Sequence, residues 1–184
     1  YEIHERLVGS EMCIRDRDDE VRTRFKEVFE AIRQEFKIVF PNMFGGGKAE
    51  LVLTEPTDLL KTGIEIEVQP PGKKLQSLSL LSGGERALTA IALLFSIIRV
   101  CPVPFCILDE VEAALDEANV KRFGRYLSDF QDDTQFIVVT HRKGTMVAAD
   151  VLYGVTMQES GVSKIVSVRM EDINEEAKIN ETKV

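Results

Sequence analysis

Apolar residues recur every three or four positions through the first part of the chain, and this spacing predicts an amphipathic helix. The pattern begins at Asp19 and runs to Val39, with Arg, Lys and Glu between the apolar positions. Pro41 and Asn42 follow, and they predict the end of the helix. Residues 1–17 show no clean periodicity, so we expect them to form a poorly ordered or non-native leader.

Alternating and continuous apolar runs predict strands along the rest of the chain. In 64–68, Ile and Val alternate with Glu, which is typical of a strand with one wet face. Residues 105–108 and 136–140 are continuous apolar runs, which predict parallel strands covered on both faces. The runs 151–157 and 162–168 predict a hairpin, with its turn at 158–161.

A helix that is apolar on nearly every side is predicted for 87–100, and its start carries the first candidate chemistry. Ser82 is a good N-cap, and Glu85 completes a capping-box pattern. Gly83 and Gly84 let a ligand approach the backbone without a Cβ in the way. Because a helix start has unpaired N–H groups and a positive dipole end, this stretch predicts a phosphate site. An ordinary capped core helix explains the same residues when they are taken alone.

Acids and a histidine stand where the two continuous runs end. Asp109 and Glu110 close the first run, and His141 follows the second. Since ligands of open α/β sheets sit beyond the carboxyl ends of the strands, these side chains lie where chemistry is expected. Asp116 is predicted to cap the helix between the two strands. The alternative interpretation assigns these residues no function: the two acids begin one loop, and the histidine lies in a second loop.

The glycine run of Phe44–Lys48 is not a phosphate loop. That motif requires Gly, four residues, and then Gly-Lys-Ser/Thr. Here Asn42 stands in place of the first glycine, and Ala49 replaces the hydroxyl that would bind magnesium. A glycine turn that feeds a strand at 50–54 is the better interpretation.

Composition narrows the class of protein without identifying it. With 184 residues, 44% of them hydrophobic, the chain can bury one sizeable core, and its charge of −8 argues against a uniformly basic nucleic-acid surface. Three cysteines show no metal-ligand spacing and leave one unpaired under any disulfide scheme, which favours a reducing compartment. The longest apolar stretch is too short to span a bilayer, and the start has no signal-peptide pattern. We therefore expect a cytoplasmic protein.

Taken in order, these pieces resemble an ABC-type ATPase: signature motif, Walker B strand, D-loop and switch histidine. Within that superfamily the sequence is similar to the C-terminal head lobe of SMC (structural maintenance of chromosomes) proteins. The resemblance covers about 18–172. It implies an α/β lobe with a largely parallel sheet flanked by helices, a C-terminal β-hairpin, a coiled-coil-proximal helix at 18–40, and a flexible tail at 173–184. The residues that carry the resemblance are Leu80–Leu88, Leu108–Val120, Thr140–Arg142 and the glycine run of Phe44–Lys48.

The resemblance implies a role for each candidate residue. Asp109 would hold Mg²⁺, and Glu110 would orient and partly deprotonate the water that attacks ATP. His141 would contact the γ-phosphate or that water, and Asp116 would align the site of a second head across a dimer. The helix start that would grip the γ-phosphate of a nucleotide held by the other head consists of Ser82, Gly83, Gly84 and Glu85.

Two departures from the family pattern stand out. Glu112 occupies a position where Asp is expected, and the chain contains no Walker A loop or Q-loop. In SMC proteins those elements lie on an N-terminal lobe, beyond a long coiled coil and hinge. The resemblance thus implies half of a head, which needs that lobe to complete it.

The resemblance also implies partners and a setting. The implied partners are the N-terminal lobe of the same protein, a second SMC head, a kleisin subunit and DNA, and no membrane is involved. The implied setting is the cytoplasm, in a nucleoid-associated assembly that serves chromosome condensation and segregation. Two alternatives stay open: a fragment of another ABC-type ATPase (a DNA-repair relative or a transporter nucleotide-binding domain), or a non-catalytic interaction module of the same fold. A transporter domain would carry Walker A and the Q-loop upstream in the same chain, and the intact Asp109, Glu110 and His141 speak against the module.

Overall fold

The computed structural model describes the backbone of residues 2–130 and 134–170, and the side chains of 17–130 and 134–170. The chain divides into two compact units, Tyr1–Pro102 and Val103–Val184. Among the described residues, no helix is both long enough and apolar enough to cross a membrane.

The first unit packs two helices and a small antiparallel sheet around one core. Helix α1 (Glu2–Phe44) contacts helix α2 (Gly83–Val100) and strand β1 (Lys48–Leu53). β1 pairs with β2 (Ile64–Gln69), which pairs with the short β3 (Gln76–Ser77), and a 3-10 turn at Leu78–Leu80 leads into α2.

Aromatic side chains of α1 fill this core. Phe36 and Phe40 are fully buried, and the Phe40 and Phe44 rings stack with their centroids 4.1 Å apart. Phe95 of α2 is buried with them. Spaced four residues apart, the α1 aromatics lie on one face of the helix, and burying such a ring contributes about 2–3 kcal/mol.

Helix α1 is longer than its apolar pattern predicts. It begins at Glu2 and continues through Pro41 to Phe44, so the predicted stop at Pro41 is wrong. A proline removes one helical hydrogen bond without necessarily ending the helix, and the end comes where glycines of positive φ begin. The interpretation of residues 1–17 as a leader stays a prediction, because the side chains before Arg17 lie outside the described residues.

The glycine turn before β1 is confirmed. Gly45, Gly46 and Gly47 all have positive φ (74°, 135° and 91°), a region that other residues rarely adopt. A Cβ on Gly47 would lie 2.3 Å from the Gln69 carbonyl oxygen. The run therefore serves a tight turn between α1 and the sheet.

The second unit contains a crossover and a hairpin. Strands β4 (Phe105–Asp109) and β5 (Gln135–Val139) pair in parallel, as predicted, with α3 (Glu117–Asp129) between them in the chain. The short helix α4 (Lys143–Met146) contacts α3. The predicted hairpin is confirmed as β6 (Val151–Glu159) and β7 (Val162–Arg169); the tail at 173–184 lies outside the described residues.

The prediction of a largely parallel sheet is wrong for the described residues. β4 and β5 form the parallel pair, and the three-stranded sheet and the hairpin are antiparallel. The reason is the length of the connections, because residues 54–63 join β1 to β2 and residues 160–161 join β6 to β7, whereas parallel strands need a longer crossover, such as the one that contains α3.

The prediction that these parallel strands are covered on both faces is also wrong for this chain. Phe105 and Ile107 of β4 are 55% and 60% exposed, while Leu108 is buried. Successive side chains of a strand point to opposite faces, so one face of the β4–β5 pair is covered and the other is bare.

Candidate functional site

The first group of candidate residues forms the start of α2. Ser82 is the N-cap: its Oγ accepts a hydrogen bond from the Glu85 backbone N–H, and Glu85 Oε2 accepts one from the Ser82 N–H at 3.1 Å. The capping box predicted from the sequence is therefore confirmed. Ser82 and Gly83 are exposed, and a Cβ on Gly83 would meet no atom within 4 Å. The helix start is open to a ligand.

Lys73 is a member of this group that sequence reasoning missed. Its Nζ lies 2.8 Å and 3.0 Å from the two carboxylate oxygens of Glu85. The hydrogen bond from Lys73, followed by that from Ser82, holds the pKa of Glu85 below its ordinary value. The Ser82 hydroxyl also donates to Glu85 Oε2 at 2.7 Å. The two residues of the ion pair are twelve positions apart, with Lys73 in the loop before β3 and Glu85 in the first turn of α2, so no periodic pattern relates them.

Acid should remove the charged part of this cluster's stabilisation. Because the pKa of Glu85 is lowered in the folded protein, the stabilisation is complete above the ordinary value of 4.5 and is lost as pH falls through the folded-state value. Since Lys73 is half-exposed, we expect about 0.3–1 kcal/mol at pH 7. Urea unfolding of the parent and Glu85→Gln should show that difference at pH 7, and the difference should shrink as the pH falls below 4.5. A difference that does not change as the pH is lowered through the acid range would contradict it.

The second group lies where the parallel strands end. In the β4–β5 pairing, Asp109 stands opposite Val139, so the residues that follow each strand emerge at the same edge of the sheet. There Glu110 Oε1 lies 3.3 Å from His141 Nδ1, and both side chains are exposed. The structure thus brings together two of the residues that the sequence singled out, one from each strand end.

The backbone of Glu110 adopts an unusual conformation. Its φ is +48°, and it is the one non-glycine residue with a positive φ in the described part of the chain. Its N–H donates to the Val139 carbonyl at 3.0 Å, and its own carbonyl accepts from the Ala113 N–H at 3.0 Å. A left-handed residue of this kind costs about 1–2 kcal/mol and persists where the surrounding structure fixes it. The turn therefore fixes the direction in which the Glu110 side chain leaves the backbone.

Asp109 ends β4 as an exposed carboxylate. Over 17–130 and 134–170, no group of three His, Cys, Asp or Glu side chains could hold a metal ion by itself. Mg²⁺ is commonly bound by one or two carboxylates, with water and substrate phosphates completing its shell. A single exposed carboxylate at a strand end fits that mode of binding.

Asp116 caps helix α3, as predicted. Its Oδ1 accepts a hydrogen bond from the Asn119 backbone N–H at 2.8 Å, and its Oδ2 accepts one from Asn119 Nδ2 at 3.1 Å. Both oxygens thus have partners within the chain.

A buried network beside His141 also escaped sequence reasoning. Glu112 is fully buried and accepts hydrogen bonds from the hydroxyls of Thr140 and Thr145. Arg142 donates to the Leu115 carbonyl. In the sequence, Glu112 is notable only as a departure from the family pattern, and nothing there shows that its side chain is buried.

The chain matches a family profile described as the RecF/RecN/SMC N terminal domain over residues 10–164. It is 68% identical over 162 residues to the chromosome partition protein Smc of Bacillus subtilis (strain 168), a match that covers 88% of this chain and 14% of that protein. The chain therefore spans about one seventh of the length of this curated relative.

Solved structures of SMC heads also resemble this chain over most of its length. One, from work on ATP-driven dimerisation and DNA-stimulated activation of SMC ATPases, has a TM-score of 0.75 and 41% identity, and the match covers 85% of this chain and 97% of that one. Another is an Smc head domain with an extended coiled coil bound to the C-terminal domain of ScpA, derived from Pyrococcus furiosus. It has a TM-score of 0.81 and 39% identity, and the match covers 92% of this chain and 42% of that one.

Proposed function

The chain belongs to the RecF/RecN/SMC family, and we propose that it is the C-terminal lobe of an SMC ATPase head. In this proposal it contributes to ATP-driven engagement of two heads during chromosome partitioning. The observation that carries the proposal is the Glu110–His141 pair, 3.3 Å apart at the carboxyl ends of two parallel strands.

Motif content supports the C-terminal lobe, although the family description names an N-terminal domain. The lobe that holds the α- and β-phosphates needs a phosphate loop, and the 184 residues contain no Gly-x4-Gly-Lys-Ser/Thr. The chain instead carries the signature-type helix start and the strand-end acid and histidine. These are the parts that the resemblance assigns to the C-terminal lobe.

The bare face of the β4–β5 pair supports a need for a complementary lobe. Phe105, Ile107, Ile137 and Val139 are each about half exposed there, whereas parallel sheets are ordinarily covered on both faces. Asp109 lies on the same face at the strand end, because side chains alternate along β4. A lobe that covered this face would bring its nucleotide next to Asp109.

The proposed chemistry at the sheet edge divides among three side chains. Asp109 would hold Mg²⁺, which supplies charge neutralisation of the phosphates when bound. Glu110 would accept a hydrogen bond from the attacking water and partly deprotonate it. His141, in contact with Glu110, would orient that water or the γ-phosphate. The left-handed turn would direct the Glu110 side chain from the strand end.

The signature residues would act on the nucleotide of the second head. Ser82, Gly83 and Gly84 present the open N-terminus of α2, where N–H groups and the helix dipole favour a phosphate. Glu85 brings a negative charge to the same place, and Lys73 balances it. Asp116 would align the other head's site across the dimer. Because its oxygens already bond to Asn119, it would act through the position of α3's first turn.

The proposed partners follow from the family. An N-terminal lobe and a second head are required by the division of motifs, and the ScpA complex of a relative supports a kleisin-type subunit. DNA is proposed as the partner of the whole assembly, in a nucleoid-associated setting in the cytoplasm. A fragment of another ABC-type ATPase is the second candidate, and the curated chromosome-partition relatives favour the SMC assignment.

The isolated chain should bind Mg-ATP weakly and hydrolyse it at the background rate. It lacks the loop and lysine that wrap the α- and β-phosphates, and its adjacent carboxylates, Asp109 and Glu110, repel a polyanion when no cation intervenes. Isothermal titration with Mg-ATP and a phosphate-release assay measure both properties. Binding and turnover should appear when the N-terminal lobe is supplied in cis or in trans. Micromolar binding or turnover by the chain alone would contradict the proposal and would favour an N-terminal or complete head.

A further inference from the structure

Glu112 is a fully buried acid to which none of the proposed steps assigns a role. It lies in the turn after β4, two residues beyond Glu110, and its side chain has no solvent exposure. Burying a carboxyl group costs free energy unless donors satisfy its oxygens. Because an apolar side chain of similar volume would fill the same space at lower cost, the glutamate requires an explanation other than packing.

The donors to Glu112 come from the segment that follows β5. Its Oε1 accepts hydrogen bonds from the hydroxyls of Thr140 and Thr145, the latter at 2.9 Å. The Thr140 hydroxyl oxygen also accepts a hydrogen bond from the Arg142 backbone N–H at 3.0 Å. Thr140 and Arg142 are the neighbours of His141 in the chain. One carboxyl oxygen therefore fixes both flanks of the histidine.

Arg142 makes a second connection between the same two segments. Its guanidinium donates to the Leu115 carbonyl and lies 3.8 Å from the Glu117 carboxylate. Within the described residues, Glu112 Oε2 and Arg142 Nε are buried without a hydrogen-bond partner. A buried network with unpaired atoms is a poor source of stability, so its contribution lies in the geometry that it imposes.

The Glu110–His141 contact lacks support of its own. Both side chains are more than half exposed, so water competes for each, and an exposed pair of this kind is weak. What limits the imidazole is the backbone on either side of it. Positioning within a fraction of an ångström depends on such supporting contacts.

We propose that Glu112 is the positioning residue that holds His141 against Glu110. This proposal rests on the proposed function, in which Glu110 and His141 act on ATP. Glu112 touches neither nucleotide nor water in this scheme. It acts through Thr140 and Arg142.

Two substitutions at Glu112 separate loss of the hydrogen-bond acceptor from loss of the carboxyl group, in a head reconstituted with the N-terminal lobe. Glu112→Leu keeps the buried volume and removes the acceptor, and we expect kcat to fall about 10–100-fold with an unchanged KM for ATP and unchanged ATP-dependent dimerisation. Glu112→Gln keeps an acceptor for both hydroxyls and should retain turnover within about threefold. Equal kcat for the leucine variant and the parent would overturn the proposal.

A double-mutant cycle with His141→Gln identifies the route of the effect. If Glu112 acts through His141, Glu112→Leu should cause little further loss of kcat in the His141→Gln background. Losses that multiply would overturn the proposal. The outcomes also separate the two claims: if His141→Gln leaves turnover unchanged, the proposed function fails, whereas a loss with His141→Gln and none with Glu112→Leu rejects the positioning role alone.

Thr145 keeps the proposal testable where Glu112→Leu fails to fold. Thr145 is buried, and Thr145→Val removes one donor to Glu112 at nearly constant volume. In that case valine should lower kcat several-fold and Thr145→Ser should retain it. Equal turnover of these two variants would overturn the proposal.

Discussion

Glu110→Gln should lower ATP turnover of the reconstituted head by about 10²–10⁴-fold while ATP binding and head dimerisation persist. The amide keeps the size of the side chain and an oxygen acceptor, but it cannot take a proton from water. Glutamine also leaves the left-handed turn intact, since that turn is fixed by the backbone hydrogen bonds to Val139 and Ala113. Single-turnover hydrolysis measures the chemical step apart from dissociation of the heads.

The matched control for this variant is Glu159→Gln. Glu159 is an exposed glutamate at the end of β6, so its substitution makes the same change in charge away from the candidate site. Turnover of the control should equal that of the parent. A Glu110→Gln head that hydrolyses ATP at nearly the parent rate would remove Glu110 from the role of base.

Ser82→Arg should abolish ATP-dependent dimerisation while the N-terminal lobe still binds ATP. The side chain is exposed at the open start of α2, so a long arginine occupies the space that a partner's phosphate would enter, without disturbing the core. Loss of the cap should cost about 1 kcal/mol, which is too little to unfold the unit. Sedimentation with and without ATP measures dimerisation, and a titration with Mg-ATP measures binding.

Ala90→Arg is the control for the arginine itself. Ala90 is an exposed residue of the same helix, so this variant adds the same charge and bulk beyond the helix start. It should dimerise as the parent does. If Ser82→Arg heads dimerise with ATP, the assignment of the signature motif is wrong.

The local elements were predictable where periodicity and capping chemistry agree. The capping box of Ser82 and Glu85 and the hairpin of β6 and β7 follow from short-range rules, and the structure confirms them. The end of α1 could not be predicted in this way, because Pro41 is compatible with the last turn of a helix and the glycines after Phe44 set the boundary.

The residues of the candidate site were predictable from the sequence, but the contacts that hold them in place were not. Strand ends identified Asp109, Glu110 and His141, because an apolar run that stops at a polar group is visible in the sequence. The burial of Glu112 and the pairing of Lys73 with Glu85 depend on contacts between distant positions. No local pattern encodes such contacts.

The positive φ of Glu110 sets stability against activity at a single position. Asparagine and glycine adopt that backbone conformation more readily than glutamate does, so either substitution relieves strain in the turn after β4. Both also remove the only side chain proposed to take a proton from water. Under the proposed function, a library of this chain selected for resistance to heat would therefore accumulate variants that no longer support ATP hydrolysis. Engineering for thermal stability should then keep residue 110 unchanged and seek the stability at other positions.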